Sequence, residues 1–464
     1  MPHIHAHRPL PESRRRLTAT LLVLLALLLA LIGINSVVAL AATGTPLRND
    51  TGLYPRAIRL AHNGAADGRI LASVVTFSGN NGLGSIHEST DGGASFRQVG
   101  TVTDPEASGG QGLCCSTLFE LPQQVGNLPA GTLLWSASVG QDEPGRHMAI
   151  RIFKSSDVGR TWSYLSTVAT APNDRGLWEP EFSIDSQGNL VCHYSDETDA
   201  AHSQKLVAAR SSDGVTWTGH HNTVASNLAS DRPGMAVVRK LPSGTYFMSY
   251  EICAAAGQFA CVVHWRTSPD GWNWGDPAHL GFRPETADGK YFKHAPNLAW
   301  SPEPGNPNGK LLLIGQEMYN ADGTKAAGSG RTIWSNANNG NGPWRELSAP
   351  VAVSSTTVDY CPNYSSSLLP SSDGSQVLEI ATDYDAGVCK PYFATGPTST
   401  CPPTTSPAEE TTRPRTTAAA SSPPAESWSQ RRSCRRPDRG LGATSVRPGT
   451  ATTVAAPPSP LGRS

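Results

Sequence analysis

A short turn motif recurs along the chain and constrains its fold more than any other feature of the sequence. Two octets match closely, STDGGASF at 89–96 and SSDVGRTW at 155–162, and shortened forms follow at 211–217 and 268–274. In each, aspartate accepts hydrogen bonds from nearby backbone N–H groups and glycine supplies a positive φ. One such turn is commonplace, but four at intervals of 66, 56 and 57 residues indicate a repeated unit.

A second series of segments alternates with these turns. Each member has an x-Pro step, a strand-like run, a glycine turn and a second strand-like run, as in YPRAIRL, EPEFSID, RPGMAVV, APNLAW and CPNYSSSLL. GLCCSTLFEL occupies the same place without its proline. Six such units between about residues 53 and 397 predict an all-β, six-bladed β-propeller with a central funnel. A pair of β-sandwiches would not explain the regular spacing.

The two ends of the chain differ from the repeats. Residues 1–41 combine arginines, an apolar run from 17 to 34 and an Ala-Leu-Ala site, which predicts a secretory signal peptide. The apolar run is long enough that an uncleaved membrane anchor stays an alternative. Residues 398–464 are rich in Thr, Ser, Pro and Arg and predict a disordered tail, either a genuine linker or a shifted reading frame.

The net charge of the repeats indicates the class of ligand that they suit, and their cysteines indicate the compartment. With +3 on residues 1–41 and +5 on residues 398–464, a whole-chain charge of −1 leaves −9 on residues 42–397. An acidic domain disfavours nucleic acid and suits a neutral sugar polymer. Seven cysteines in this region favour export to an oxidising compartment. We expect disulfides Cys253–Cys261 and Cys361–Cys389, and either an odd thiol or a vicinal bridge among Cys114, Cys115 and Cys192.

Two strand ends carry the carboxyl groups that matter most. LWEPEFSID begins an inner strand with Glu179 and Glu181 on either side of a proline, which is tolerated where a strand starts. Glu251, in YFMSYEIC, ends the returning strand of the next unit. The start of one strand and the end of its antiparallel neighbour lie on the same face, so these groups should meet at one rim of the funnel. Glycoside hydrolysis requires such a pair.

Other residues should lie at or near the same rim. Trp178 is either a packing residue or a platform for a sugar ring. Any single charged residue at a strand end is more often a solvated surface group. The predicted substrate-binding residues are Arg56, Trp178, Glu181, Arg232, His294 and Arg331. The sequence shows no metal-ligand spacing and no phosphate-binding loop, so we expect no metal and no cofactor.

The motifs GLWEPEFSID, CHYSDE, DRPGM and SYEIC resemble glycoside hydrolase family 93, within the sialidase-like propellers that carry Asp-box repeats. The resemblance spans about residues 50–397. It implies a retaining exo-α-1,5-L-arabinanase that releases arabinobiose. It also implies Glu179 as general acid/base, Glu251 as nucleophile and Tyr364 as the tyrosine that assists the nucleophile, with Tyr360 as its rival. Spacing alone does not separate Glu179 from Glu181.

Two other functions remain open on the sequence. A sialidase would need three arginines that clamp a carboxylate, and Arg56, Arg232 and Arg331 could supply them. A non-catalytic carbohydrate-binding propeller would not need both glutamates. The expected protein is therefore a secreted, monomeric hydrolase that binds arabinan, with no nucleic-acid partner and no membrane partner after signal cleavage.

Overall fold

A computed structural model describes residues 42–142 and 145–399. The predicted signal peptide and the predicted tail from residue 400 onward lie outside these residues. Within the described ranges, secondary structure consists of β-strands and three short 3-10 turns, at Gly64–Ala66, Pro105–Ala107 and Gly257–Phe259. None of the helical segments there is long and apolar enough to span a membrane.

The strands form six sheets arranged as the blades of a β-propeller, which confirms the predicted fold class. A two-residue strand, β1 (Thr45–Pro46), comes first and belongs to the last blade. Blade 1 contains β2 (Leu53–Arg59), β3 (Ile70–Ser78), β4 (Asn81–Ser89) and β5 (Arg97–Thr103). Blade 2 contains β6 (Leu113–Glu120), β7 (Leu133–Val139), β8 (Ala149–Ser155) and β9 (Ser163–Thr170). Blade 3 contains β10 (Leu177–Ile184), β11 (Leu190–Asp196), β12 (Lys205–Ser211) and β13 (Thr218–Val224).

The last three blades depart slightly from this plan. Blade 4 contains β14 (Arg232–Lys240), β15 (Tyr246–Cys253), β16 (Val262–Ser268), β17 (Tyr291–Lys293) and, later in the chain, β20 (Glu317–Tyr319). Blade 5 contains β18 (Asn297–Glu303), β19 (Asn306–Ile314), β21 (Thr332–Asn336) and β22 (Arg345–Ser348). Blade 6 contains β23 (Ser367–Pro370), β24 (Gln376–Asp385) and β25 (Val388–Pro397), with β1 as its outer strand.

The ring closes between the two ends of the described chain. β1 pairs with β25 in blade 6, where Thr45 lies opposite Phe393. The inner strands β2, β6, β10, β14, β18 and β23 contact one another in turn, and β2 also contacts β23. This arrangement puts the first residue of each inner strand at one mouth of the funnel.

Apolar side chains fill the spaces between blades. Trp135 of β7 is buried between blades 1 and 2, among Leu71, Ile86 and Phe153. Gly84 of β4 makes room for it, because a Cβ atom at this position would lie 2.6 Å from the indole ring. Such close packing fixes the angle between neighbouring blades and therefore the shape of the funnel.

The recurring turns join the third strand of a blade to the segment that follows it. In the first, the Ser89 hydroxyl donates to Asp91 at 2.7 Å and the Ser95 backbone N–H donates to Asp91 at 3.0 Å. The same serine–aspartate bond recurs at Asp157, Asp213 and Asp270. Third strands run away from the mouth, so these turns lie on the opposite face, as predicted.

Three disulfides lie within the described ranges. Cys253–Cys261 and Cys361–Cys389 pair as predicted. Cys114 bonds to the adjacent Cys115, which leaves Cys192 as a free, buried thiol. The structure thus has both of the features that the sequence named as alternatives for these cysteines, a vicinal bridge and an odd thiol.

The inner strands of blades 1 to 4 share a bulge near the mouth. In blade 3, Trp178 pairs with Ser195 and Glu181 with His193, so the inner strand has one extra residue. The same irregularity occurs in blades 1, 2 and 4. In all four blades the residue that follows the last regular pair before the bulge has a positive φ. These residues are Tyr54, Cys115, Glu179 and Met235. The bulge places these residues outside the regular ladder and next to the axis.

Candidate active site

The bulges build a ring of side chains around the mouth of the funnel. Four buried residues pack together there: Tyr54, Cys115, Met235 and Ala295. Trp178 and Tyr364 pack against them. Every blade therefore contributes to this ring, which we call the mouth ring, and Glu179 stands in it between Cys115 and Met235 in blade order.

Glu179 is held by two donors from different strands. The Ser195 hydroxyl, on the neighbouring strand β11, donates to Glu179 Oε2 at 2.6 Å. The backbone N–H of Met235, in blade 4, donates to the same oxygen at 2.9 Å. Burial raises the pKa of Glu179 even though both hydrogen bonds lower it. The carboxyl group is thus fixed in position and inclined to hold a proton.

Glu251 is held in a similar way, one blade further on. It pairs with Gly234 in blade 4, and the backbone N–H of Ala295 in blade 5 donates to Glu251 Oε2 at 2.7 Å. Burial and, secondarily, the charge of Glu179 raise the pKa of Glu251 to about 8. Each glutamate therefore accepts a hydrogen bond from a positive-φ residue of the next blade.

The two carboxyl groups behave as a coupled pair. A proton on one favours ionisation of the other, so the apparent pKa values belong to the pair. From the sequence we expected Glu251 to be ionised and Glu179 to be the proton donor. Both pKa values are raised, that of Glu251 to about 8, which favours the protonated form of Glu251 at neutral pH. The main cause is burial of Glu251, to which the charge of Glu179 adds. The single hydrogen bond from Ala295 opposes this rise, whereas two hydrogen bonds oppose it at Glu179.

Tyr364 lies against this pair. Burial raises the pKa of its phenol well above the usual value, and the charges of Glu179 and Glu251 add to the shift. Its ring centroid is 6.2 Å from that of Tyr54. Tyr364 is therefore a neutral hydrogen-bond donor in the mouth ring. Its rival Tyr360 is 65% exposed on the preceding segment, so the structure brings Tyr364 and not Tyr360 to the two glutamates.

Arg232 is occupied by a carboxylate that the sequence analysis did not single out. Its guanidinium donates to Glu197 and to Gln204 Oε1, and it also contacts the Ser203 hydroxyl at 2.9 Å. Its positive charge lowers the pKa of Glu179 and of Glu251 without a direct contact to either. Arg232 thus lies near the pair and is held away from it by Glu197.

Trp178 is fixed at the rim by charged neighbours. Its indole N–H donates to Glu197, and the Arg146 guanidinium lies 5.0 Å from the centroid of its ring. Glu197 also accepts the backbone N–H of Gly176 at 2.9 Å. Burial opposes ionisation of Glu197, but its hydrogen bonds to Arg232 and Trp178 outweigh burial and lower its pKa.

The other predicted binding residues lie at different depths. Arg56 is buried beneath Tyr54 and donates to the carbonyl of Ser365 at 3.2 Å. Glu181 is buried one layer deeper in the funnel, where it forms an ion pair with Arg239 and accepts from the Thr117 hydroxyl at 3.1 Å. Glu181 is therefore engaged in structural contacts.

His294 and Arg331 differ in their relation to the glutamates. His294 directly precedes Ala295, and its Nδ1 lies 4.0 Å from the sulfur of Cys253. Arg331 is exposed before β21, and its side chain makes no hydrogen bond or ion pair with the mouth ring within the described residues. The structure thus brings His294 to the site and leaves Arg331 outside it.

Several functional candidates escaped the sequence analysis. Ser195 and Glu197 follow a buried run in CHYSDE, which the repeats mark as a strand end at the mouth, so their positions were readable. The donors from Met235 and Ala295 are backbone groups. Met235 lies at a bulge and Ala295 precedes β18, both with a positive φ, and residue type does not signal the direction of either N–H.

One group of side chains within the described ranges has metal-ligand spacing: Cys253, Cys261 and His294. The two sulfur atoms already form a disulfide, so they do not offer the thiolates that zinc or iron would require. The site chemistry that remains is that of two carboxyl groups and a phenol.

No protein-family model matches the chain, and no curated protein matches it. Solved structures do. An α-L-arabinofuranosidase of Fusarium graminearum, assigned to GH93 and solved with arabinobiose, is 24% identical with a TM-score of 0.62. An α-L-arabinanase of Penicillium chrysogenum, also solved with arabinobiose, is 25% identical with a TM-score of 0.62. In both cases the match covers 77% of this chain and 98% of the other.

A Hadza microbial sialidase is more distantly similar, at 15% identity and a TM-score of 0.50, over 76% of this chain and 68% of the other. The structural neighbours thus include GH93 glycoside hydrolases and a sialidase, which confirms the resemblance that the motifs predicted. The described residues share a six-bladed propeller with these enzymes.

Proposed function

We propose that this protein is a retaining glycoside hydrolase that releases arabinobiose from the non-reducing ends of α-1,5-linked L-arabinan. One observation carries the proposal. Glu179 and Glu251, on adjacent blades at the funnel mouth, are each fixed by a backbone donor of the next blade and both have raised pKa values. The similarity to GH93 enzymes solved with arabinobiose supports the choice of sugar.

The proposed mechanism uses the pair with one proton. The first step begins from the one-proton form of the pair in which the proton is on Glu179 and Glu251 is ionised. Glu179 gives this proton to the leaving-group oxygen while the Glu251 carboxylate attacks the anomeric carbon. In the second step Glu179 takes a proton from water, which releases the sugar from Glu251 with retention of configuration. The neutral Tyr364 phenol interacts electrostatically with both glutamates and would stabilise charge that develops on the pair.

The arrangement of arginines argues against the sialidase alternative. A carboxylate clamp needs guanidinium groups that are free to bind the substrate. Arg56 is bonded to backbone carbonyls, Arg232 is paired with Glu197, and Arg331 is exposed outside the mouth ring. Sialidases also use a tyrosine as nucleophile, and the surroundings of Tyr364 raise its pKa and oppose formation of the phenolate.

The proposal includes the location of the protein and its oligomeric state. We place the mature protein outside the cell, because residues 1–41 resemble a signal peptide and three disulfides suit an oxidising compartment. We also propose that it is a monomer. Fractionation of the producing culture and light scattering of the purified protein would test these two points.

Product analysis tests the proposed function. Linear α-1,5-arabinan and sialyl-lactose would be incubated with the protein, and the products separated by anion-exchange chromatography. We expect arabinobiose alone from arabinan and nothing from sialyl-lactose, with no product from Glu251→Gln. A ladder of arabino-oligosaccharides would show endo cleavage, and sialic acid release without arabinan activity would overturn the proposal.

A further inference from the structure

A cavity of about 380 Å³ opens between blades 2 and 3, separate from the mouth ring. Its walls come from the end of β9, the start of β10, the end of β11, the start of β12 and the middle of β13. Four of these strand ends lie at the face that carries the funnel mouth. The cavity is therefore open on the same side of the propeller as the candidate active site.

The polar part of the cavity offers both donors and acceptors. The Tyr194 hydroxyl lies 2.9 Å from Nδ1 of His220. Lys205 Nζ lies 2.8 Å from Asp199 and 3.9 Å from Asp196. Burial lowers the pKa of His220, so the imidazole is neutral near pH 7. Among the lining residues the charges of Asp196 and Lys205 cancel.

The opposite wall is apolar. Val168, Leu177 and Val207 come from the core between blades 2 and 3. A lining with an apolar side, uncharged hydrogen-bonding groups and no net charge fits a neutral polyhydroxylated ligand better than an anion or a cation. A sugar unit has this character, with C–H groups for the apolar wall and hydroxyl groups for the polar one.

The cavity lies close to the path that a polysaccharide would take. Leu177 precedes Trp178 and Glu179 on β10, and Asp196 follows Ser195 on β11. The lining begins at the inner strand of blade 3 and extends to the outer strands β9 and β13, which are three strand spacings, or about 15 Å, from the inner strands. A polymer whose end occupies the funnel and whose next units cross blades 2 and 3 would therefore reach this opening.

We propose that the cavity between blades 2 and 3 is an accessory binding site for a sugar unit of the same neutral polysaccharide. The inference rests on the proposed function, since the polymer is the one whose end the funnel would take. Such a site strengthens binding of the polymer and leaves binding of a short oligosaccharide unchanged, because only the polymer reaches both places at once.

His220→Ala and Tyr194→Phe test the proposal. KM would be measured for linear arabinan and for arabinotriose, together with the unfolding temperature of each variant. We expect KM for the polymer to rise about threefold to tenfold for the loss of one or two hydrogen bonds. KM for arabinotriose should change by less than about twofold, since it is too short to reach the cavity. Lys154→Ala is the control, in a second cavity on the opposite face.

Binding without turnover gives an independent measurement. Affinity electrophoresis in gels containing arabinan, with Glu251→Gln as the background, should show retardation that His220→Ala weakens and Lys154→Ala does not. Equal retardation of all three, or an unchanged ratio of the two KM values, would overturn the accessory site while leaving the hydrolase intact. Absence of any arabinan hydrolysis by the wild type would instead overturn the proposed function.

Discussion

Single residues in the funnel determine how many protons the catalytic pair holds. Ser195 and the Met235 N–H favour the charged form of Glu179, and burial disfavours it. Glu251 accepts the Ala295 N–H, and burial, with the charge of Glu179, raises its pKa to about 8. With either glutamate as the acid, hydrolysis requires the form of the pair with one proton.

The first prediction is a bell-shaped pH dependence of kcat/KM. Below the lower apparent pKa both groups are protonated and there is no nucleophile, and above about pH 8 both are ionised and there is no acid. The descending limb should therefore lie near pH 8. Initial rates on arabinotriose between pH 4 and 10 would check this, and constant activity from pH 7 to 10 would contradict it. Glu179→Gln removes the neighbouring charge and should lower the Glu251 pKa in an infrared titration.

A second residue-scale prediction concerns stability. Glu379 is fully buried, accepts only the Val351 N–H at 2.8 Å, and has its pKa raised by burial to about 8. It is neutral in the folded protein and ionised in the unfolded chain at neutral pH. Its contribution is therefore present below the unfolded pKa of about 4.3 and is lost as pH rises to about 8, by up to about 1.4 kcal/mol per pH unit.

Glu379→Gln removes this dependence. Relative to the wild type, the variant should gain stability progressively between pH 5 and pH 8, as measured by thermal unfolding at each pH. Activity at pH 6 should be unchanged, because Glu379 lies on β24 away from the mouth ring. A constant difference in unfolding temperature across this range would contradict the raised pKa.

At the scale of strands, the sequence predicted the repeat better than its register. The x-Pro steps correctly marked the inner strands, but the proline does not occupy one position in every blade. In blade 3 the first bulged residue is Glu179 and the proline follows it, at Pro180. In blade 4 the first bulged residue is Met235, and the proline comes two residues before it, at Pro233. The position of Glu251 opposite Gly234 depends on this bulge, which residue types alone do not specify.

Gly234 gives a prediction at this scale. A Cβ atom there would lie 2.4 Å from Nε2 of Gln204 and 3.6 Å from Oε2 of Glu179. Gly234→Ala should therefore displace Gln204, loosen Arg232 and disturb the pair, lowering kcat/KM by about tenfold to 100-fold. Gly92→Ala is the matched control, since its Cβ would meet nothing within 4 Å and its φ of +76° affects the turn on the opposite face. Equal activity losses in both variants would contradict the local effect.

At the scale of the whole molecule, the funnel depends on closure of the ring. β1 covers the outer edge of β25, and Leu47 is buried against Ile70, Leu378 and Phe393. The sequence predicted six blades, but it did not predict that a strand before the first repeat completes the last blade. The two-residue strand β1 is too short to give a periodic signal.

A variant that lacks residues 1–48 should show the importance of closure. It loses β1 and the Leu47 contacts. Its free energy of unfolding should therefore fall by about 2–5 kcal/mol or more, the loss typical of removing one buried leucine side chain. The control is the variant that begins at residue 42, which is the predicted mature protein and keeps β1 and Leu47. Equal stability of the two in urea would contradict the role of β1.

Azide rescue of the two glutamate variants tests the central claim most directly, with an aryl α-L-arabinobioside that has a good leaving group as substrate. Glu179→Ala should form the sugar–enzyme intermediate unaided, and azide should restore turnover and give an azide product of retained configuration. Glu251→Ala should give, with azide, a product of inverted configuration, because azide replaces the nucleophile. NMR of the products distinguishes the two. Full activity of either variant on arabinan, or the same product configuration from both, would contradict the assignment of Glu179 and Glu251.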